Sequence, residues 1–356
     1  LLFLNGLAIL MIPLNHAAAY GLQALFQWTD RYLPVDVPNY ELLGTIPYYV
    51  IVIIRQITTF SVPAFLFISG FFIAFLAKGK EGKVTWKMVL PRVKVLLFPF
   101  AIWTVIRYLL LRRWPASFDD VLNHYAFIPL LLQFYLLSPF LVSTAKTRWK
   151  LLLVSAAILH LGIQSISYLY YLGVTVPGQA LILQLTPRWF VLGQQPFWFP
   201  FGIVFGLHFQ NLAPRLTKIR WKLLIATIVF LVLTIIEHQM ADYLNGEVWI
   251  GPRFDGFARN FFILSSILLI LAFDETKFPY SKYIADLGVK SLGIYMANIP
   301  AIYVAELFMY RVTPSVLGVL AIYVPVLFIV GLGVPLLLMW LVRQSRLRVS
   351  YRYVFG

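Results

Sequence analysis

Residues 4–22 read LNGLAILMIPLNHAAAYGL, and this stretch decides the class of fold. It holds one histidine, His16, in a mostly apolar run whose other polar side chains are Asn5, Asn15 and Tyr20. A run of about 20 such residues, rising 1.5 Å each, crosses the roughly 30 Å hydrocarbon core of a bilayer. The stretch therefore reads as a transmembrane helix. It is long and followed by further spans, so it is expected to be a true span and not a cleaved signal. Pro13 takes one donor out of the backbone ladder, leaves the Ile9 carbonyl without its helical partner and bends the helix beside His16.

Working outward, the same kind of run recurs along the chain. Helices are expected over residues 3–27, 57–77, 93–111, 124–143, 151–172, 189–209, 222–241, 258–273, 289–310 and 315–342. The short apolar stretch 45–54 either extends the second helix or lies at the interface. Pro325, Pro335, Gly331 and Gly333 predict a kink in the last span. No shift in composition divides the chain, so residues 1–356 read as one domain: an all-α, polytopic membrane bundle of about ten helices. Composition agrees. Of 356 residues 61% are hydrophobic and only 12% charged, against about 25% charged in soluble domains. That excludes a soluble enzyme, a DNA-binding protein and a disordered chain. The absence of cysteine excludes disulfides, thiolate chemistry and cysteine metal sites.

The net charge of +15 would suggest nucleic acid in a soluble protein. Here it reads as the basic excess of cytoplasmic loops, and no nucleic-acid partner is expected. One set of connections holds Lys78, Lys80, Lys83, Lys87, Arg92 and Lys94; then Lys146, Arg148 and Lys150; then Arg215, Lys218, Arg220 and Lys222; then Lys277 and Lys282. The last segment adds Arg343, Arg346, Arg348 and Arg352. The alternate connections hold only Arg31, Arg112, Arg113, Arg188, Arg253 and Arg311. This asymmetry predicts both termini in the cytoplasm and a multi-pass protein of the cell membrane. The opposite face carries Asp30, Asp36, Glu41, Asp119, Asp120, Asp242, Glu247 and Asp255. Arginines mixed with carboxylates suit a polar, hydroxyl-rich ligand, and also suit ordinary solvated loops.

His16 is the first candidate for chemistry, since a titratable residue at that depth is costly and usually functional. Asn5 lies eleven positions earlier, within about 20° of the same helix face and about 16 Å away along the axis. Asn15 adds a third polar group. The stripe reads either as the wall of a passage from the cytoplasm or as a buried histidine bonded to a neighbouring helix. An uncharged imidazole in such a site can take a proton, which makes His16 a candidate general base for a hydroxyl attacking an activated acyl group. His160 is mid-span and the main rival. His124 and His208 lie near span ends, and His238 follows Glu237. No metal motif is present. Arg55 and Gln56 face either an acceptor or lipid headgroups. Arg107, Arg188, Glu237 and Arg259 lie in outer halves of spans and either pair with one another or contact an acceptor. Ser69–Gly70 suits close helix packing, and Gln194 and Gln195 suit hydrogen bonds between helices. The many aromatic residues read as lipid-facing surface, core and interfacial belts.

Five fragments in order resemble the acyltransferase-3 family of integral membrane O-acyltransferases. NGLAILMIPLNH at 5–16 resembles its first-span Arg-x10-His motif, and SVPAFLFISGFF at 61–72 its FF-x-x-SGF stretch. PRVKVLLFPFAIW at 91–103 is similar to its RL-x-x-P-x-x-W segment. LLQFYLLSPFL at 131–141 resembles L-x-x-LYL-x-x-P, and SLGIYMANIP at 291–300 resembles IYL-x-H-x-P. The resemblance implies His16 as the catalytic residue, acyl-CoA (acetyl-CoA first among them) as a donor that is not permanently bound, and a cell-surface glycan or lipid-linked sugar as acceptor. Asn5 stands where the family has an arginine that helps handle the donor, and Asn298 where a histidine is common. Donor phosphates would then fall to Asn5 with Lys87, Arg92 and Lys94 in the basic segment 78–94. Acceptor contacts would fall to Arg55, Arg188, Glu237 and Arg259. Two other readings stay open: a glycan transporter or flippase, and a non-catalytic subunit with membrane-protein partners.

Overall fold

The computed structural model describes residues 1–78, 83–112, 114–245 and 256–356. Lys80, Glu81, Arg113, Glu247, Arg253, Asp255 and the side chain of Asp242, whose charges enter the reading above, lie outside the described residues. Helix is the only regular structure among the described residues. The main helices are α1 (Leu2–Phe26), α2 (Ile46–Thr58), α3 (Ser61–Leu76), α4 (Trp86–Leu111), α5 (Phe118–His124), α6 (Phe127–Tyr171) and α7 (Gln179–Leu185). They continue with α8 (Trp198–Leu207), α9 (Phe209–Asn245), α10 (Phe257–Ala272), α11 (Ser281–Val289), α12 (Ser291–Val312), α13 (Leu320–Gln344) and α14 (Tyr351–Phe355).

The result is an all-α polytopic membrane bundle. Seven helical stretches among the described residues are long and apolar enough to cross a membrane, fewer than the ten expected. Two physical reasons account for the difference. The 45-residue α6 joins two expected spans through a backbone break at Arg148, and α8 and α10 are apolar but short. The stretch at 46–58 extends the second span, with a break at Thr59 and Phe60 between α2 and α3. Pro325 and Pro335 both sit inside the continuous helix α13.

Small residues set the tightest crossings, as expected where no hydrophobic force draws helices together within lipid. A Cβ on Gly6 would overlap the Ile284 carbonyl, and one on Gly288 the Leu2 carbonyl, so α1 and α11 meet backbone to backbone. Gly70 of α3 lies against the Phe199 carbonyl, and Gly202 of α8 against the Phe67 carbonyl. The Gly70 expectation from sequence is thus a packing feature. Helix α1 touches α2, α3, α10, α11, α12 and α13, and is the hub of the bundle.

Helix α12 shows how a proline is accommodated. Pro300 cannot donate to the Met296 carbonyl, and the Tyr125 hydroxyl donates to that carbonyl instead, at 3.0 Å. In α6 the Ser138 hydroxyl does the same for the Tyr135 carbonyl, which Pro139 leaves open. One end of the bundle gathers basic residues: Lys146 donates to the Ala77 carbonyl, and Arg220 lies over the Trp221 and Phe273 rings. At that end Phe3 stacks on Phe278, and Trp103 Nε1 donates to the Val354 carbonyl at 2.8 Å.

Candidate functional site: a polar cavity beside His16

A cavity of about 270 Å³ lies inside the bundle, away from the basic end. Helix α1 contributes Ile12, Asn15 and His16 to it. The α2–α3 junction contributes Thr58, Thr59, Ser61 and Val62, and α5 contributes Asn123 and His124. Arg188, Gln194 and Gln195 enter from the connection before α8, Arg259 from the first turn of α10, and Tyr295 and Ile299 from α12. The lining thus combines amides, hydroxyls, two imidazoles and two guanidiniums with apolar side chains such as Ile12, Val62, Phe127 and Leu130, and has no carboxylate among the described lining residues.

Several of these side chains are held by local structure. Asn15 Nδ2 donates to Thr58 Oγ1 at 2.5 Å, and Ser61 Oγ donates to the Thr58 carbonyl at 2.7 Å. These bonds fasten the α2–α3 junction to α1 one residue from His16. The sequence Ser117-Phe-Asp-Asp120 forms a reciprocal cap that starts α5, and α5 ends at His124. His124 Nδ1 lies 2.5 Å from the Asp120 carbonyl oxygen. A carbonyl only accepts, so this contact assigns the proton to Nδ1 and leaves Nε2 as the basic nitrogen of the neutral ring. The connection carrying Arg188 is clamped at two points. Gln133 Nε2 donates to the Trp189 carbonyl at 2.7 Å, while Gln133 Oε1 accepts from the Val191 amide at 3.2 Å. Asp119 accepts from Trp189 Nε1 at 2.6 Å and from Asn123 Nδ2 at 2.5 Å. One carboxylate therefore ties α5 to the Arg188 connection.

Of the residues singled out from sequence, His16, Arg188 and Arg259 line this cavity together, and Asn5, Arg55, Lys87, Arg92, Lys94 and Glu237 do not. Asn5 Nδ2 donates to the Gly288 carbonyl at 2.6 Å and to Ser291 Oγ at 3.1 Å, so its amide joins α1 to α11 and α12. Glu237 accepts from the Phe257 and Ala258 amides at 2.8 and 2.9 Å and caps the start of α10. Arg55 is half-buried in the last turn of α2, within electrostatic range of His238. Lys87 and Lys94 are exposed near the start of α4, and Arg92 is half-buried between them. His160, the rival imidazole, bonds Asn260 Oδ1 at 3.0 Å; Asn260 bonds Gln164, and Gln164 the Gly256 carbonyl. That chain of bonds fastens α6 to α10. Asn298 is fully buried and donates to the Ile294 and Tyr295 carbonyls of its own helix.

Sequence reasoning ranked His124 below His16 as a residue near a span end, and passed over Asn123 and Gln133. The signal for the first two was the capping pattern at 117–120, which announces a short helix ending in a histidine. Gln133 gave no such signal.

A membrane-embedded helical bundle enclosing a polar, imidazole-bearing cavity defines an integral membrane protein with an internal polar site. A family model described as an acyltransferase domain matches residues 3–342. The chain belongs to this family, acyltransferase-3. No curated protein and no solved structure matches it.

Proposed function

We propose that the protein is a cell-membrane O-acyltransferase that moves an acyl group, acetyl first among candidates, from acyl-CoA to a hydroxyl of a glycan or lipid-linked sugar. The observation that carries this reading is His16 lining a cavity of hydroxyls and amides in a chain of an acyltransferase family. His16 takes the proton of the acceptor hydroxyl. The oxygen attacks the thioester carbonyl, the C–O bond forms, the C–S bond breaks, and the proton passes to the departing thiolate. The second imidazole, His124, sits in the same cavity and orients the acceptor.

The donor reaches the site from the basic end, with Lys87, Arg92 and Lys94 attracting its phosphates. Helix α4 runs from there to the cavity, where the Tyr108 ring lies 5.2 Å from the His124 ring. Lys94 and Tyr108 are fourteen residues apart, about 21 Å along the helix, a gap for the slim pantetheine arm to bridge. Asn5 is spent on helix packing and is left out of donor binding in this reading. The engaged amides of Asn5 and Asn298, which replace charged or titratable family residues, favour the alternative of a catalytically silent subunit or transporter.

The test is release of free CoA from acyl-CoA by the full chain in proteoliposomes supplied with candidate acceptors. Turnover that His16→Ala abolishes supports the proposal. Turnover unchanged by that substitution removes His16 from the mechanism, and flux of a glycan without CoA consumption favours transport.

A further inference from the structure

We infer that Gln195 selects the acceptor. Its side-chain oxygen takes a hydrogen bond from a second, non-reacting hydroxyl of the unit bound in the His16 cavity, so the acceptor is a polyol and not a lone alcohol. This rests on the cavity being the acceptor's place, as proposed above, and goes further by naming the selecting residue and the group it selects.

Gln195 lines the cavity. The bond to a neighbouring helix that its sequence suggests is not made by Oε1, which is buried without a donor among the described residues. A buried amide oxygen in that state is costly, because water has been withdrawn and nothing has replaced it. A ligand hydroxyl supplies the missing donor. Neighbouring hydroxyls on one ring suit a side-chain amide at both ends: one donates to Oε1 and the next accepts from Nε2. About 270 Å³ falls just below the roughly 300–1,000 Å³ of pockets for drug-sized ligands. The second hydroxyl therefore belongs to the same small unit as the reacting one.

The backbone around Gln195 holds the amide in place. The Phe190 amide donates to the Pro187 carbonyl at 3.0 Å and the Gly193 amide to the Phe190 carbonyl at 2.8 Å, so two turns follow one another. A Cβ on Gly193 would overlap the Pro187 carbonyl, so glycine is what lets these turns close. Gln133 grips the same segment at Trp189 and Val191. Pro196 disfavours helical backbone at Gln195. Just beyond it the buried Trp198 ring packs 6.1 Å from the His160 ring. An amide carried on a segment fixed at both sides loses little freedom when a ligand arrives.

Binding to the full chain in nanodiscs, without acyl-CoA, tests this with four probes. Three are methyl β-glucoside, methyl β-galactoside and methyl β-N-acetylglucosaminide; the fourth is cyclohexylmethanol, one hydroxyl on a ring of similar size. At least one sugar is expected to bind the native chain about tenfold to a hundredfold tighter than the alcohol, the range for one buried polar group left unpaired. Gln195→Met, of similar length but without the amide, is expected to remove that preference, and Gln195→Glu, which keeps an accepting oxygen, to retain it. Monodeoxy derivatives of the sugar that binds locate the hydroxyl. The derivative weakest on the native chain should match its parent on Gln195→Met, a result that a merely structural role for Gln195 does not give. Equal binding of sugars and alcohol, binding of no probe, a preference that survives Gln195→Met, or one lost equally in Gln195→Glu overturns the inference. CoA release by the native chain is read in parallel. Turnover with cyclohexylmethanol as fast as with the sugars overturns this inference alone, and sugar preference without turnover overturns only the acyltransferase reading.

Discussion

The hydroxyl of Tyr125 donates to the carbonyl of Met296, 171 positions further along the chain, and that carbonyl is the one Pro300 deprives of its helical donor. The bond ties the start of α6 to α12 just beside Tyr295, a cavity-lining residue. Tyr125→Phe leaves a buried carbonyl unsatisfied and is expected to cost about 1–3 kcal/mol. Pro300→Ala gives the carbonyl a donor within α12. The double variant should therefore be less destabilised than Tyr125→Phe alone, as read by thermal unfolding in nanodiscs. Additive effects would refute the link.

His16 and His124 share the cavity, and substitution separates their roles. His16→Ala is expected to lower turnover by about 10²–10⁴-fold, the usual contribution of a general base. His124→Asn keeps a donor for the Asp120 carbonyl, and its main effect is expected on the acceptor KM. If His124→Asn loses the larger factor in kcat while His16→Ala retains turnover, the base is His124.

Asn5 gives two hydrogen bonds to the α1–α11–α12 junction. Asn5→Ala should cost about 1–3 kcal/mol of stability and leave the KM for acyl-CoA unchanged. A rise in that KM with stability preserved would place Asn5 in donor handling.

Gly70→Ala drives a methyl into the Phe199 carbonyl. Backbone cannot give way as a side-chain tip can, so α3 and α8 must part, at a cost of at least about 1–3 kcal/mol. Gly162→Ala in α6 meets nothing within 4 Å and is the control, expected to gain about 0.5–1 kcal/mol from lower backbone entropy. Thermal melts of the two variants should move in opposite directions.

Glu237→Gln leaves one amide oxygen, beside a donor NH2, where two carboxylate oxygens accept from the first amides of α10. The expected cost is about 0.5–2 kcal/mol, typical of a lost helix cap, with no change in acceptor KM. A shifted KM at unchanged stability would instead make Glu237 a ligand contact.

The sequence was legible wherever a single element carried the information. Apolar runs announced the helices, because a bilayer demands long unbroken ones, and Gly70 announced a close crossing. His16 stood out as a titratable group within an apolar span, and Arg188 and Arg259 as polar groups in the outer halves of spans. What stayed hidden arises from pairings across large separations. Nothing near Glu237 indicates that it caps a helix twenty residues on, and nothing near Asn5 indicates that Gly288 will claim its amide. The two spans within α6 were read separately because Arg148 marks a charged break between them, whereas the structure carries helix nearly through it. Gln133 sits in an apolar run, and its double bond to the 189–191 backbone is invisible until the chain closes on itself.

The placement of His16 on α1 has a consequence for how such a site diversifies. The reactive ring rides on the strut against which six other helices are braced, so that strut tolerates little change. At the rim, Gln133 and Asp119 bind the connection bearing Arg188 to α6 and α5. Randomising the residues that flank Arg188 in that connection should retarget the protein to new acceptors while the chemistry underneath stays put.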